Sequence, residues 1–462
     1  MAEIIITFCI FLLVYSLIIA RTKLKNIPFW LVMSIGAILV MVYGIIPLES
    51  ALKSINLQVI GFLFGMFSIT TAVEKSGVIN WIIGLTLAKL REKTNNIIIM
   101  IVFLSGILSA FIVNDTAAIL LVPFAISICN QMKVKPSIVL ISIAIGINVG
   151  SVMTPIGSPQ NLLIASQSGI PLPFISFVSL LGPPTIINLL LSGLILKHYY
   201  KKELIVSRQQ LTNQLSVQNH QDNKEYKLAN GISEVDRTEK LFSNRLAKIS
   251  TAVFLCTVGA IVSSEIGNMF TGVYIDIGII SLAGALVLYI VSGDRISILK
   301  SVNYSVIVFF ICMFIFTAAL WTSGLIPGLM DYFPSFRLDD NTTNNTQDVI
   351  EYTLYNNTII SAVSIFVSQI LSNVPFVASY IPFMIQNGFD ESHISEWMML
   401  SAASTIAGNL TIIGAASTII IMQTAESKGM KVFTFFEFFK IGSLLTVVNV
   451  AIYYLFLALY NL

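Results

Sequence analysis

Two short polar interruptions inside apolar stretches hold the side chains of this sequence best placed to do chemistry. Residues 110–123 read Ala-Phe-Ile-Val-Asn-Asp-Thr-Ala-Ala-Ile-Leu-Leu-Val-Pro, and residues 369–382 read Gln-Ile-Leu-Ser-Asn-Val-Pro-Phe-Val-Ala-Ser-Tyr-Ile-Pro. Asn114 and Asn373 sit at the interruptions, and each is followed nine residues later by a proline, Pro123 or Pro382. A second pair comes after them: Gly150-Ser-Val-Met-Thr-Pro-Ile-Gly157 and Gly408-Asn-Leu-Thr-Ile-Ile-Gly414. Asparagine and closing glycine are 43 residues apart in the first copy and 41 in the second. Interrupted apolar segments at matching places in two halves point to the ligand site of a secondary transporter.

The chemistry available at such a site comes largely from the backbone. A turn or break at membrane depth frees N–H and C=O groups, which is tolerable only where they line a wet cavity or a ligand. The second arm of each hairpin starts at its tip, so its positive helix end faces the midplane. Two such ends form an anion site without lysine or arginine. Asn114 and Asn373 are the first candidates for substrate contact, with Ser158, Asn161, Thr411, Ser417 and Thr418 behind them; small polar residues also glue membrane helices together. Carbonyls freed between Asn148 and Gly157, and between Thr405 and Gly414, suit a hard cation such as sodium. The coupling-ion candidates there are Asn148, Gly150, Thr154, Gly157, Asn409 and Gly414. Prolines 155, 159 and 375 help keep these stretches unwound. Asp115, an ionisable group near the bilayer middle, reads as a cation or proton carrier. Its plain alternative is an N-cap for an arm starting at Thr116.

The elements that must position these residues are membrane helices. Charged residues make up 11% of the 462 and hydrophobic ones 56%, with a mean hydropathy of +0.85, whereas a soluble domain is about 25% charged. The net charge of +2 implies no nucleic-acid partner. Cys9, Cys129, Cys256 and Cys312 lie in apolar runs and read as small buried hydrophobes, neither disulfides nor metal thiolates. Glu3 in place of a basic leader region makes residues 4–20 a first transmembrane helix rather than a cleaved signal. Further spans fall at 27–46, 57–74, 174–197, 246–266, 272–292, 303–323 and 440–460. Residues 78–90 read as a surface helix on the inner side. Arms 97–113 and 115–130 flank Asn114-Asp115, and arms 353–371 and 374–387 flank Ser372-Asn373. An arm of some 16 residues covers roughly 24 Å, short of a roughly 30 Å core.

Charge sets the topology. The first hairpin is basic on both flanks (Arg91, Lys93; Lys133, Lys135) and enters from inside. The second is acidic on both (Asp331, Asp339, Asp340, Asp348, Glu351; Asp390, Glu391, Glu396) and enters from outside. Three Asn-x-Thr sequons, at Asn341, Asn344 and Asn356, fit that outer loop. The arrangement puts 24 of the 26 lysines and arginines inside, leaving only Lys53 and Arg337 outside. Each half holds five crossings, so the halves have opposite orientation. The expected fold is therefore an all-α integral membrane protein, an inverted repeat of two halves, each with about five transmembrane helices, one re-entrant hairpin and one broken helix. The halves are residues 1–197 (hairpin 97–130, broken helix 138–165) and 246–462 (hairpin 353–387, broken helix 395–426), joined by a polar inner linker at 198–245. Both termini are expected outside, in a plasma-membrane protein. Glu74, Glu265, Asp276 and Asp294 are expected at the membrane interface, and His198, His220 and His393 in loops.

The sequences Phe111–Pro123, Thr154-Pro-Ile-Gly-Ser-Pro-Gln-Asn161 and Ser372-Asn-Val-Pro375 resemble the ion transporter superfamily. It includes arsenite permeases, citrate–metal transporters, sodium–dicarboxylate transporters and certain sodium/proton antiporters. The resemblance spans essentially the whole chain. It implies a transport domain of hairpins and broken helices moving against a scaffold, an elevator-type alternating access. It also implies substrate contact at both hairpin tips, adding Thr116 and Ser372. The tips here read Asn114-Asp115-Thr116 and Ser372-Asn373-Val374, in place of the Ser-Asn-Thr of the sodium–carboxylate members.

Other classes fit less well. No Gly-Lys dipeptide exists, hence no P-loop of a pump; the spans offer no histidine for an intramembrane hydrolase. An enzyme is not expected. A channel would show single-channel currents, a carrier saturable uptake. The expected activity is secondary active transport of a small anion or oxyacid such as arsenite or antimonite. Di- or tricarboxylate transport and sodium/proton antiport are the alternatives. The partners are that substrate and the lipid bilayer, with room for a homodimer. No cofactor or metal is expected beyond a coupling sodium ion or proton. Cysteines introduced at Asn345 and Glu391 should react with impermeant reagent from outside, and one at Gln214 only after the membrane is opened. Labelling of Gln214→Cys in sealed cells would overturn the topology.

Overall fold

The structure is a computed structural model, and it describes residues 2–20, 28–79, 81–82, 84–85, 96–205, 245–272, 275–330, 332, 334–337 and 346–460. Arg21, Lys23, Lys25, Lys89, Arg91 and Lys93, most of the 198–245 linker with His220, and the sequons at Asn341 and Asn344 lie outside these. Among the described residues there are helices and no strands. Eight helices are long and apolar enough to cross a membrane. The apolar runs leave the backbone no bonding partner but itself, and helices satisfy it locally.

The halves pass through similar series of elements, with one more helix among the described residues of the second, the short Leu325–Met330. The first has α1 (Ala2–Ala20), α2 (Phe29–Val42), short α3 (Leu48–Lys53), α4 (Leu57–Lys75), α5 (Ile97–Phe111), α6 (Asn114–Met132), α7 (Pro136–Gly150), α8 (Pro159–Gln167) and α9 (Pro173–Tyr199). The second has α10 (Arg245–Thr271), α11 (Ile277–Val291), short α12 (Arg295–Ser301), α13 (Tyr304–Thr322), short α14 (Leu325–Met330), α15 (Thr346–Leu371), α16 (Asn373–Gln386), α17 (Ile394–Ile406), α18 (Ala416–Ser427) and α19 (Phe435–Tyr460). Helix pairs α5–α6 and α15–α16 are the expected hairpins, and α7–α8 and α17–α18 the expected broken helices. Each upstream half-helix runs on into a 3₁₀ turn, Ser151–Met153 or Ala407–Asn409.

The helices pack into two groups. In the first, α4 packs on α11 and α10, and α13 on α2, with α1 and α14 alongside. In the second, α5 packs on α7 and α9, α15 on α17, and α9 on α19. The halves exchange partners within it: α6 lies on α18, and α16 on α8. Such packing needs close backbone approach. A Cβ on Gly150 would lie 2.1 Å from Gly106 O, and one on Gly442 2.0 Å from Asn409 O. The groups meet mainly where α13 and α14 touch α16, α4 touches α8, and α10 meets the start of α9.

Several expectations are corrected. With 19 and 26 residues, α6 and α15 are longer than the arms read from sequence. Both contain segments long enough to span, so arm length does not mark the hairpins; their tips do. Cys9 and Cys256 are exposed on helix faces rather than buried. His198 lies in the last turn of α9, not in a loop. The sequon at Asn356 is in helix α15 and 1% exposed. Its Oδ1 accepts from Arg337 N at 3.0 Å and its Nδ2 donates to Arg337 O at 2.7 Å, so that amide has no room for a glycan. Asp390 accepts from Ser392 and His393, which hold its carboxyl down at a pKa of about 2 and keep that flank negative.

Glu265 is the largest departure among the acids. It is 1% exposed, and its two oxygens accept from Phe174 N at 2.8 Å and Ile175 N at 3.0 Å. A carboxylate of the first group thereby caps α9 of the second. The first N–H groups of a helix have no internal acceptor, and charge-assisted bonds to them are strong. Glu265→Ala should lower the melting temperature in detergent, losing about 1–3 kcal/mol, with Glu265→Gln losing less. Unchanged melting in both variants would contradict the cap.

Candidate functional site

The hairpin tips are tied to the breaks by the same design built from different atoms. Helix α5 ends at Phe111, Ile112 is extended, and α6 begins at Asn114, whose N–H donates to Gly157 O at 3.3 Å. Ser109 Oγ donates to Asn114 Oδ1 at 2.9 Å, and Thr154 Oγ1 donates to Ala110 O. In the second half, the position four before the tip asparagine is Gln369 rather than Ala110. Thr411 Oγ1 donates to Gln369 Oε1 at 2.8 Å, and Gln369 Nε2 to Ala407 O at 2.9 Å. Both breaks close with one turn: Gly157 N donates to Thr154 Oγ1 at 3.1 Å, and Gly414 N to Thr411 Oγ1 at 3.2 Å. A hydroxyl three residues before a glycine N–H meets the bonding needs that the missing helix turn would have met.

The two breaks also hold each other. Asn148 Nδ2 donates to Asn409 Oδ1 at 2.9 Å, and Ser417 Oγ donates to Asn148 Oδ1 at 3.1 Å. On the other side, Gln160 Nε2 donates to Thr405 Oγ1 at 3.1 Å. Ser401 and Thr405 hydroxyls donate to Asn161 Oδ1 at 2.9 and 3.2 Å. Asn161 Nδ2 in turn donates to Ser151 O at 2.9 Å and Thr154 O at 3.1 Å. Some buried polar atoms in this region have no protein partner: Asn373 Oδ1, Ser368 Oγ, Asn409 Nδ2 and Thr418 Oγ1. All four belong to the second half. An orphaned buried polar atom is costly unless a ligand or water answers it.

A cavity of about 230 Å³ lies between the tips and the second half-helices. Asn114, Asp115, Gln160, Ser372, Asn373 and Ser417 supply its polar wall from the second group, and Asn303 and Ser305 from the first. Trp30, Phe309 and Phe310 form an apolar side. Six helices begin at this cavity: α2, α6, α8, α13, α16 and α18. Only α8 has a side-chain cap, Ser158 Oγ accepting from Asn161 N at 3.4 Å; the other five start without one. Uncapped helix starts present N–H groups and partial positive charge. Among the described lining residues the single charged group is Asp115. The arrangement suits an oxygen-rich solute, and among the described lining residues no side chain supplies a counter-cation.

Of the residues expected to bind substrate, the structure brings Asn114, Ser372, Asn373 and Ser417 to the cavity. It places Ser158, Asn161, Thr411 and Thr418 behind it, and Thr116 one step along α6. The coupling-ion set divides too. Asp115 lines the cavity, while Asn148, Gly150, Thr154, Gly157, Asn409 and Gly414 form the framework of the breaks. Asp115 is not an N-cap: α6 starts at Asn114 with Val113 as its cap residue, so Asp115 falls in the first turn. Gln160, Trp30, Asn303 and Ser305 were not singled out from sequence. Gln160 had a signal: 257 residues separate it from Ser417, the same spacing as Gly157 to Gly414. Asn303 and Trp30 had none, because they arrive from the other group.

A family model described as citrate transporter matches residues 15–399. An uncharacterized transporter of Mycobacterium tuberculosis (strain ATCC 25618 / H37Rv) is 26% identical over 406 residues, covering 86% of this chain and 85% of its own. The silicon efflux transporter of Oryza sativa subsp. japonica is 23% identical over 429 residues, 85% of this chain and 84% of its own. The P protein of Homo sapiens is 24% identical over 459 residues, 87% of this chain and 53% of its own. With eight helices fit to span, these likenesses make the chain a multi-pass membrane protein.

Ser372 carries the one backbone strain at the site, with φ 65° and ψ 157°. A non-glycine residue there costs about 1 kcal/mol or more. Ser372→Gly should therefore raise the melting temperature, while slowing transport if the serine conformation sets the tip. A destabilised Ser372→Gly protein would show that the hydroxyl outweighs the strain.

Proposed function

We propose that this chain, which belongs to the citrate transporter family, is a secondary active transporter for a small, weakly ionised oxyacid of the arsenite or antimonite kind. The observation that carries the reading is a cavity ringed by helix N-termini where the one charged group among the described lining residues is an acid, Asp115. Helix starts and amides donate to hydroxyl and oxo oxygens. A multiply charged carboxylate would face Asp115 with no side-chain cation among the described lining residues, whereas a neutral hydroxy acid meets no such repulsion. At about 230 Å³ the cavity is smaller than the roughly 300–1,000 Å³ of drug-sized pockets. The silicon efflux transporter among the relatives lends support to an oxyacid substrate and to export.

Similar element order in two halves of odd crossing number, with basic residues sorted to one side, supports an inverted repeat with re-entrant hairpins. Two packing groups with few junctions support an elevator, in which the second group carries the substrate along the first. Ile18, Pro28, Trp30, Asn303 and Ser305, which line the cavity, adjoin the basic stretches 21–25 and 295–300 in the sequence. In the proposed topology this conformation presents the site to the inner side. Asp115 then serves as proton or cation carrier, its charge state linked to the substrate beside it. The family description itself favours a second reading, transport of citrate or a related carboxylate.

The test is purified protein in liposomes, assayed against arsenite, antimonite, citrate, succinate and sodium under imposed pH and sodium gradients. Saturable arsenite or antimonite flux driven by a gradient is expected, and Asp115→Asn should cut that flux at least tenfold with an unchanged melting temperature. Citrate or succinate flux without oxyacid flux would replace the first reading by the second; sodium/proton exchange alone would remove both. Asp115→Asn transport with unaltered pH and sodium dependence would exclude Asp115 as carrier.

A further inference from the structure

The first break already contains what a cation would supply. Three carbonyl oxygens, of Ser151, Val152 and Thr154, converge on Asn161 Nδ2 at 2.9, 3.5 and 3.1 Å. Such a cage of oxygens is what a hard cation binds, and here an amide nitrogen fills it. Carbonyl oxygens can only accept, and Asn161 Oδ1 is occupied by the Ser401 and Thr405 hydroxyls, so the amide orientation follows from its partners. Of the other hydroxyls in the break, Thr154 Oγ1 is committed to Ala110 O and Gly157 N, Ser151 Oγ to Asn148 O and Ser158 Oγ to Asn161 N. Asn161 is 0% exposed. The first break, with Asn148, Gly150, Thr154 and Gly157, therefore does not fit a sodium ion.

The second break differs at the matching position. Thr418, 257 residues after Asn161, leaves its buried Oγ1 without a partner, as does Asn373 Oδ1 at the tip. We infer that the Asn161 amide is a built-in substitute for a cation, closing the first break to ion binding and leaving at most Asp115 and the second break to couple transport. The consequence for coupling rests on the transporter reading; the plug itself is a property of the folded chain.

Asn161→Asp is the discriminating variant. It keeps the shape and the acceptor for Ser401 and Thr405, but turns a carboxyl oxygen toward three carbonyls, a repulsion that only a cation or a proton relieves. Melting of the full-length protein in detergent is compared in choline chloride and sodium chloride, at pH 8 and pH 5.5. Wild type fixes the baseline response to both. In choline at pH 8, Asn161→Asp should melt roughly 2 °C or more below wild type, and sodium or acid should recover the loss beyond wild type's own response. Melting equal to wild type in choline at pH 8, or a deficit that neither sodium nor acid reduces, would overturn the plug. If Asn161→Asp does not fold, Asn161→Thr, copying the second break, takes its place. It should show a larger sodium-minus-choline shift than wild type, and an equal shift overturns the inference. These readouts need no transport, so an absent oxyacid flux would leave the plug standing and would count against the transport reading alone.

Discussion

Four helix interruptions in the middle of an apolar body set the constraint on which the rest of this structure depends. Every N–H and C=O freed there must find a partner where lipid offers none. The polar residues of the second group are mostly spent on that need. Thr154 and Thr411 close the two turns onto Gly157 and Gly414, Gln369 and Asn161 cover carbonyls, and Asn148 bridges to the opposite break. Helix starts are the exception. Five of the six at the cavity have no side-chain cap, although the first N–H of α6 donates to Gly157 O.

The two halves answer the constraint unequally. At the first tip, Ser109 bonds Asn114; at the second, the equivalent Ser368 Oγ and Asn373 Oδ1 are both unpartnered. The first tip turns through extended residues, whereas the second turns on a single serine at positive φ. The first tip is thus bonded through its side chains, and the second is strained and leaves two side-chain oxygens without a protein partner.

Much of this was legible in the sequence, and what was not has a physical reason. Apolar runs with sharp polar breaks located the helices closely; the break at Gly150–Gly157 and the tip at Asn114 stand where the pattern put them. Asn114, Asn373 and Ser417 were readable because matched spacing reveals residues that the repeat brings to one point. Trp30 and Asn303 were not, since packing between distant segments, not spacing, delivers them. Glu265 looked like an interface acid because it lies near a helix end; its use as a cap for α9 depends on a contact across 90 residues. Asn161 looked like a ligand because its type is right, and only geometry shows that both ends of its amide are taken.

The six helix starts around the cavity have divided ownership. Those of α6, α8, α16 and α18 belong to the group that contains both tips, and those of α2 and α13 to the other. If one group slides along the other, a bound solute travels with four of the positive ends and leaves two behind. Its electrostatic well becomes shallower by displacement alone, with no side chain changing rotamer. Affinity would then differ between the two faces of the membrane as a matter of geometry, strong where all six ends meet and weaker where four remain. Such a carrier has a built-in preferred side for release.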